Sequence, residues 1–287
     1  MAIRRTISGL ILLGVITASI FVPSLHWVLL VLICCAALIG VDEYCRIVSC
    51  KQKRLCNGES SKVSSKHERH FEDVIACLLV VFLLIDGIRF SLHHFLAIMI
   101  LALTVTGICY VLCRDPKESL YGTANTIFGG LWVGIPMSLA LMILRKEKEG
   151  YLILGFFLAI IFATDLGAYI IGSNFGRHKL CPNLSPKKTI EGSLGGFVFA
   201  ILAGLLCFGI FHLLHKPIFS LKEMLLLGAL SGIMSQFGDL VESAFKRDAG
   251  VKDSGNILSG HGGILDRIDS VLFSLPLLYL YLVIFPR

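Results

Sequence analysis

Apolar runs long enough to cross a bilayer recur along the whole of this chain, and nothing else in the sequence restricts its fold so strongly. They fall near 6–22, 24–41, 74–90, 92–113, 123–144, 151–173, 193–214, 222–245 and 269–286. A helical span needs about 20 apolar residues, so the first, third and last runs are short or weak for the task. Helices satisfy their own backbone hydrogen bonds, as the hydrocarbon interior demands of anything that crosses it. Composition agrees: 55% of the 287 residues are hydrophobic and 16% charged, with a mean hydropathy of +0.81. A soluble domain carries about 25% charged residues. The expected fold is all-α, a polytopic membrane helical bundle of about nine transmembrane helices in a single domain over 1–287. Helices of 1–145 carry a polar insertion at 46–73, and those of 151–287 carry the residues suited to chemistry.

The opening Met1-Ala2-Ile3-Arg4-Arg5 before an apolar run resembles a secretory signal. A second apolar run follows almost at once with no small-x-small cleavage site, so an uncleaved first helix is expected. The formal net charge of +6 comes from 26 Lys and Arg against 20 Asp and Glu, and most of the basic residues sit in connections. There they report topology and contact with anionic headgroups. Nothing in the chain resembles a soluble nucleic-acid-binding domain. Placing the connections of nine helices alternately on two sides puts 19 Lys and Arg on one and 7 on the other. The richer side holds the N-terminus and the connections at 174–192 and 246–268, which are expected to face the cytoplasm, with the C-terminus outside.

The ten cysteines lie mostly in or beside apolar runs, where a thiol behaves as a small hydrophobe. Cys45, Cys50, Cys56, His67 and His70 invite a zinc reading, but their irregular spacing fits no common finger, and reduced loop thiols are expected.

Three segments break the apolar pattern in the C-terminal half, and all fall on the cytoplasmic side of the nine-helix arrangement. The first is Ala163-Thr164-Asp165-Leu166-Gly167-Ala168-Tyr169, deep in the sixth run. An ionisable group at membrane depth is costly and usually faces the bundle interior. Asp165 and Tyr169, four apart, share a helix face; an interhelical hydrogen bond is the plainer use for them. The second is Ser185-Pro186-Lys187-Lys188-Thr189-Ile190-Glu191-Gly192, in the loop entering the seventh helix. Paired lysines and hydroxyls at a helix start suit polyphosphate, although a basic loop obeying topology would look similar.

The third segment is the most informative. The eighth run is apolar to Met234, after which Gln236, Asp239, Ser243 and Lys246 recur at helical spacing as one polar stripe. Beyond Arg247 the chain continues through Lys252-Asp253 and Gly260-His261-Gly262-Gly263 to Asp266-Arg267-Ile268-Asp269. Asp266 and Asp269 are three apart and can point the same way. Hard carboxylate oxygens suit Mg²⁺, which keeps waters and takes phosphate oxygens. Lys246, Arg247, Lys252 and Arg267 can offset a triphosphate's charge, and the glycines let backbone N–H groups approach an anion.

The pattern Ser243-Ala244-Phe245-Lys246-Arg247, Lys252-Asp253, His261-Gly262-Gly263 and Asp266-Arg267-Ile268-Asp269 resembles the signature of the phosphatidate cytidylyltransferase (CDP-diacylglycerol synthase) family. The segments around Asp165–Tyr169 and Ser185–Gly192 are similar to that family too, so the likeness covers about 160–270. The resemblance implies that CTP and phosphatidic acid become CDP-diacylglycerol and pyrophosphate, in phospholipid biosynthesis. It implies Mg²⁺, with a monovalent cation such as K⁺ beside it, and a homodimer among membrane lipids. It implies an integral protein of the bacterial inner membrane with its site facing the cytoplasm. Metal is expected on Asp239 and Asp266, joined by Asp269. Catalytic roles fall to Asp239, Asp266, Lys246, Arg247 and Arg267. Substrate binding falls to Asp165, Tyr169, Ser185, Lys187, Lys188, Thr189, Glu191, Lys252, Asp253, His261, Gly262 and Gly263. The insertion at 46–73 is unlike the family. Two other readings stand beside this one: a CTP-dependent polyprenol or phytol kinase, and a cation-coupled transporter relaying through Asp165 and Asp239.

Overall fold

Apolar sequence with few internal prolines forms long helices once the backbone must bond within its own segment. The computed structural model describes the backbone of residues 14–56, 66–113, 116–146, 149–255 and 262–285. A helical stretch at 14–21 and one 3₁₀ turn, Pro23–Leu25, precede the main elements. These are α1 (His26–Cys56), α2 (Lys66–Phe90), α3 (Phe95–Cys113), α4 (Pro116–Lys146), α5 (Gly150–Phe175), β1 (Lys179–Cys181), β2 (Ser185–Thr189), α6 (Ile190–Leu213), α7 (Leu221–Ala249) and α8 (Leu265–Ile284).

Among the described residues six helices are long and apolar enough to cross a membrane, in α1, α4, α5, α6, α7 and α8. That is fewer than the nine runs read from sequence. The run at 6–22 begins outside the described residues. The run at 74–90 lies in α2, where Asp73, Asp86 and Arg89 interrupt the apolar stretch. The run at 92–113 forms α3, whose apolar part, Phe95–Cys109, is short.

The connection at 174–192, expected as a loop, is instead an antiparallel hairpin. Lys179 pairs with Thr189 and Cys181 with Ser185, and the turn between them carries Pro182 and Asn183, both turn formers. Its signal was hidden because Pro186-Lys187-Lys188 shows none of the apolar alternation that marks a strand.

The chain packs as two compact units. Among the described residues one comprises those of Trp27–Met142 and Phe245–Ile268. Within it α2 and α4 meet through small residues one turn apart. A Cβ on Gly130 would sit 2.6 Å from Leu79, and one on Gly134 2.8 Å from Leu83. The turn from α2 to α3 bends through left-handed Ser91 and Leu92. It is tied by buried Asp86, which accepts from the His94 amide at 3.1 Å and lies 2.8 Å from His94 Nδ1.

The other unit comprises Leu13–His26, Ile143–Ala244 and Asp269–Arg287. Its α6 carries Gly192, Gly196, Ala200 and Gly204 at four-residue spacing, so α5 and α7 approach its backbone closely. A Cβ on Gly196 would lie 2.8 Å from the Thr164 carbonyl, and one on Gly204 2.8 Å from the Met224 carbonyl. Offset by two residues, Leu194, Val198, Leu202 and Leu206 are all exposed. One face thus meets helices and the other is apolar and bare, as a helix bathed in lipid requires.

Candidate active site

Thr189 ends β2 and caps α6: its hydroxyl accepts from the Gly192 amide at 3.1 Å. Such a cap satisfies one of the four N–H groups a helix leaves unpaired at its start. The Ile190 amide is likewise spent, on the His178 carbonyl at 2.9 Å, so what this helix start offers an anion is its dipole, with Lys187 and Lys188 immediately before it. Glu191 fixes the base of the hairpin. It accepts from the amides of Arg177 (3.0 Å) and His178 (3.2 Å) and lies 2.6 Å from His178 Nδ1. Its carboxylate is thereby taken up by the protein. Ser185 opens β2, opposite Cys181.

Beside this hairpin lies a cavity of about 500 Å³. Asp165, Tyr169, Lys187, Lys188, Thr189 and Asp239 line it, joined by Lys179, Ser193 and Gln236. Six site residues named from sequence are thus brought to one space, although they come from two helices and a strand. Lys188 Nζ lies 2.6 Å from Asp239, and the Ser243 hydroxyl donates to the same carboxylate at 3.3 Å. Gln236 braces α7 to α6: its amide accepts from the Ser193 hydroxyl and donates to the Ser193 carbonyl at 3.2 Å. The polar stripe read from sequence is therefore real in its first three members, and its internal spacing explains the Ser243 bond.

Asp266, in the other unit, is held differently. Lys246 Nζ lies 2.5 Å from Oδ1, while the amides of Ser254 (3.1 Å) and Gly263 (2.8 Å) donate to Oδ2. Gly262 has φ of +80° and its Cβ would meet Asp266 Oδ2 at 2.5 Å, so the position needs glycine twice over. Arg247 donates to the Val251 carbonyl at 3.1 Å, and Lys252, Asp253 and Arg267 are exposed. Asp269 belongs to the unit of the cavity, is buried, and accepts from the Ser270 amide at 2.6 Å. His261 lies outside the described residues.

Sequence reasoning missed the neighbours that complete these arrangements. Lys179 and Ser193 sit in stretches that look like ordinary connection and ordinary apolar helix. Glu43, at the polar end of α1, is fully buried and accepts from the Ser254 hydroxyl (3.0 Å) and the amides of Ile264 (3.1 Å) and Leu265 (2.8 Å). The acidic pair Asp42-Glu43, just past the apolar run at 24–41, was the only available sign of it.

The arrangement offers cations, the positive end of a helix and hard oxygen donors around a cavity in the size range of small-ligand sites. Known proteins agree with that chemistry. Over 184 residues the chain is 41% identical to the phosphatidate cytidylyltransferase of Staphylococcus epidermidis, covering 64% of this chain and 68% of that one. It is 41% identical over 155 residues to the enzyme of the same name from Bacillus subtilis, covering 54% and 56%. The Staphylococcus aureus enzyme of that name is 38% identical over 186 residues, covering 64% and 68%. The match to the cytidylyltransferase family as a whole runs over residues 3–285, and the chain belongs to that family.

Proposed function

We propose that this chain transfers a cytidylyl group from CTP to phosphatidic acid, releasing pyrophosphate and leaving CDP-diacylglycerol in the membrane. The observation that carries this reading is the cavity beside α6, where Lys187, Lys188 and the capped helix start face Asp165 and Asp239. A transporter relaying cations has no use for such a polyphosphate cradle.

The lipid phosphate is a monoester with a second pKa near 6, so it is largely dianionic at neutral pH and needs no strong base. One of its oxygens attacks the α-phosphorus of CTP, a new P–O bond forms, and the bond to the bridging oxygen breaks with pyrophosphate leaving. The task for the protein is to bring two anions together and hold the charge that develops. Lys188 and Asp239 keep each other compensated until substrate arrives; CTP then offers Lys188 phosphate oxygens in place of the carboxylate. Lys246, Arg247 and Arg267 supply further positive charge in the 243–269 signature.

The donor set suits Mg²⁺. Asp239 with the neighbouring Ser243 hydroxyl, and Asp266, present the hard oxygens that ion prefers. Among the described residues no three His, Cys, Asp or Glu side chains cluster around a common point; Mg²⁺ as a rule keeps several waters and takes one or two carboxylates plus phosphate oxygens. Bound there it would offset phosphate charge. A site on the cytoplasmic face of a bacterial inner membrane, and a homodimeric state, complete the proposal. Cysteine labelling from the cytoplasmic side should reach both the 179–189 hairpin and the 246–268 connection.

The deciding experiment separates nucleotide transfer from phosphate transfer. With CTP labelled in the cytosine ring, a cytidylyltransferase places label in the lipid fraction. Ring label left wholly in water, with γ-label entering lipid, would replace this reading by that of a kinase.

A further inference from the structure

Among the described residues Glu43 is the most deeply buried acidic side chain, yet it belongs to no motif of the sequence. Every contact it makes is to a donor. Oε2 accepts from the Ser254 hydroxyl at 3.0 Å and the Leu265 amide at 2.8 Å, and Oε1 accepts from the Ile264 amide at 3.1 Å. Ile264 immediately precedes α8 and Leu265 opens it, with Asp266 as its second residue. Ser254 is bound twice over, since its amide donates to Asp266 at 3.1 Å while its hydroxyl donates to Glu43. Glu43 therefore grips both the helix start and the loop residue that fix Asp266.

The packing leaves the grip no slack. A Cβ on Gly255 or on Gly263 would collide with the Glu43 carboxylate. Both glycines let the loop backbone close onto it, and Gly263 in turn donates its amide to Asp266 at 2.8 Å. A carboxylate is the one side chain that can take donors on both of its oxygens without offering a hydrogen in return. Glutamine would point an N–H at another N–H or at a hydroxyl whose own donor role is needed.

We propose that Glu43 is a positioning residue for Asp266, setting the orientation of its carboxylate through Ser254 and the first turn of α8. This rests on the cytidylyltransferase reading for the role of Asp266, though the contact itself does not. Misplacing a reacting group by about 1 Å can cost ~10²-fold in rate, so the conservative change Glu43→Gln should lower kcat by ~10–100-fold. KM for CTP should stay within about threefold, because the hairpin lysines are untouched. Ser254→Ala, which keeps the backbone amide but removes the hydroxyl, should lower kcat less, and adding it to Glu43→Gln should cost little more.

The test uses the full-length protein in detergent, following lipid formation from ring-labelled CTP together with amide hydrogen exchange of the peptide bearing Gly263–Asp266. Faster exchange in Glu43→Gln with a kcat loss at constant KM supports the proposal. Wild-type exchange and kcat would overturn it. So would a lowered melting temperature with wild-type kcat in the folded fraction, since that marks a structural residue only. Failure of the wild-type protein to form cytidylyl lipid would remove the functional reading, and the exchange arm would still decide whether Glu43 holds this turn.

Discussion

Asp239 and Asp266 are both single aspartates beside a lysine, and the two surroundings have opposite designs. Asp239 faces a cavity, keeps about a third of its side chain exposed (38%), and is held by one lysine and one hydroxyl. Asp266 keeps 13% exposed and is bound by a lysine and two backbone amides, themselves pinned by Glu43. The first is built to exchange partners and the second to stay where it is. A charge held by one flexible lysine in contact with water contributes little to stability, whereas a buried pair is costly to break from one side.

Asp239→Asn and Asp266→Asn should each reduce turnover by about 10³-fold or more, the loss expected when a main electrostatic contact to developing charge disappears. They should part in stability. Asp266→Asn leaves Lys246 without this carboxylate in a buried setting and should destabilise by about 3 kcal/mol, while Asp239→Asn should melt close to wild type. Equal melting temperatures, read in detergent alongside lipid labelling at matched expression, would break the comparison.

A smaller effect should follow from removing cations. Lys188→Ala, Arg247→Ala and Arg267→Ala should each weaken CTP use by ~10–100-fold, from the ~1.5–3 kcal/mol of a charge-assisted contact. Lys188→Ala sharpens the contrast most, because its carboxylate partner stays solvated and the fold should be indifferent. Wild-type kcat/KM in all three variants would mean that these residues set topology and do not meet substrate.

The membrane class was legible in the long apolar runs, and the gathering of Asp165, Tyr169, Lys187, Lys188 and Asp239 around one cavity was legible because each breaks a strong local pattern. An acidic stripe running into an apolar helix has few explanations. The hairpin was not legible, since its strands are short, polar and edge-like, with no periodicity to betray them. Neither was Glu43. Hydrophobic periodicity describes what a residue does to its own helix, and the donors that give Glu43 its meaning lie on a distant stretch of chain. The pairing of Lys246 with Asp266 was hidden for a related reason: charges assigned to substrate and metal turn out also to hold one another.

The smallest effect tests the hairpin end of the comparison. Thr189→Ala removes the α6 cap and should cost about 1 kcal/mol, lowering the melting temperature slightly. If the hairpin is held chiefly by Glu191, activity should fall no more than several-fold. A collapse of activity comparable to that of Lys188→Ala would show that the cap itself orients the lysines.

The partners of Glu43 lie 211 and 222 residues downstream of it at Ser254 and Leu265. During synthesis α1 is therefore handed to the membrane long before anything exists to receive its carboxylate. The helix has to tolerate an acidic group at its polar end, waiting at the headgroup level while most of the protein is made. Only when the residues that begin α8 emerge can that carboxylate be drawn in, and the same event seats Asp266. This turn therefore closes late in synthesis, and a polypeptide released before it keeps Glu43 without the donors of Ser254, Ile264 and Leu265. Chains truncated before residue 254 should accordingly decay faster than full-length chains in pulse–chase labelling, and Glu43→Leu should slow the decay of the truncated form.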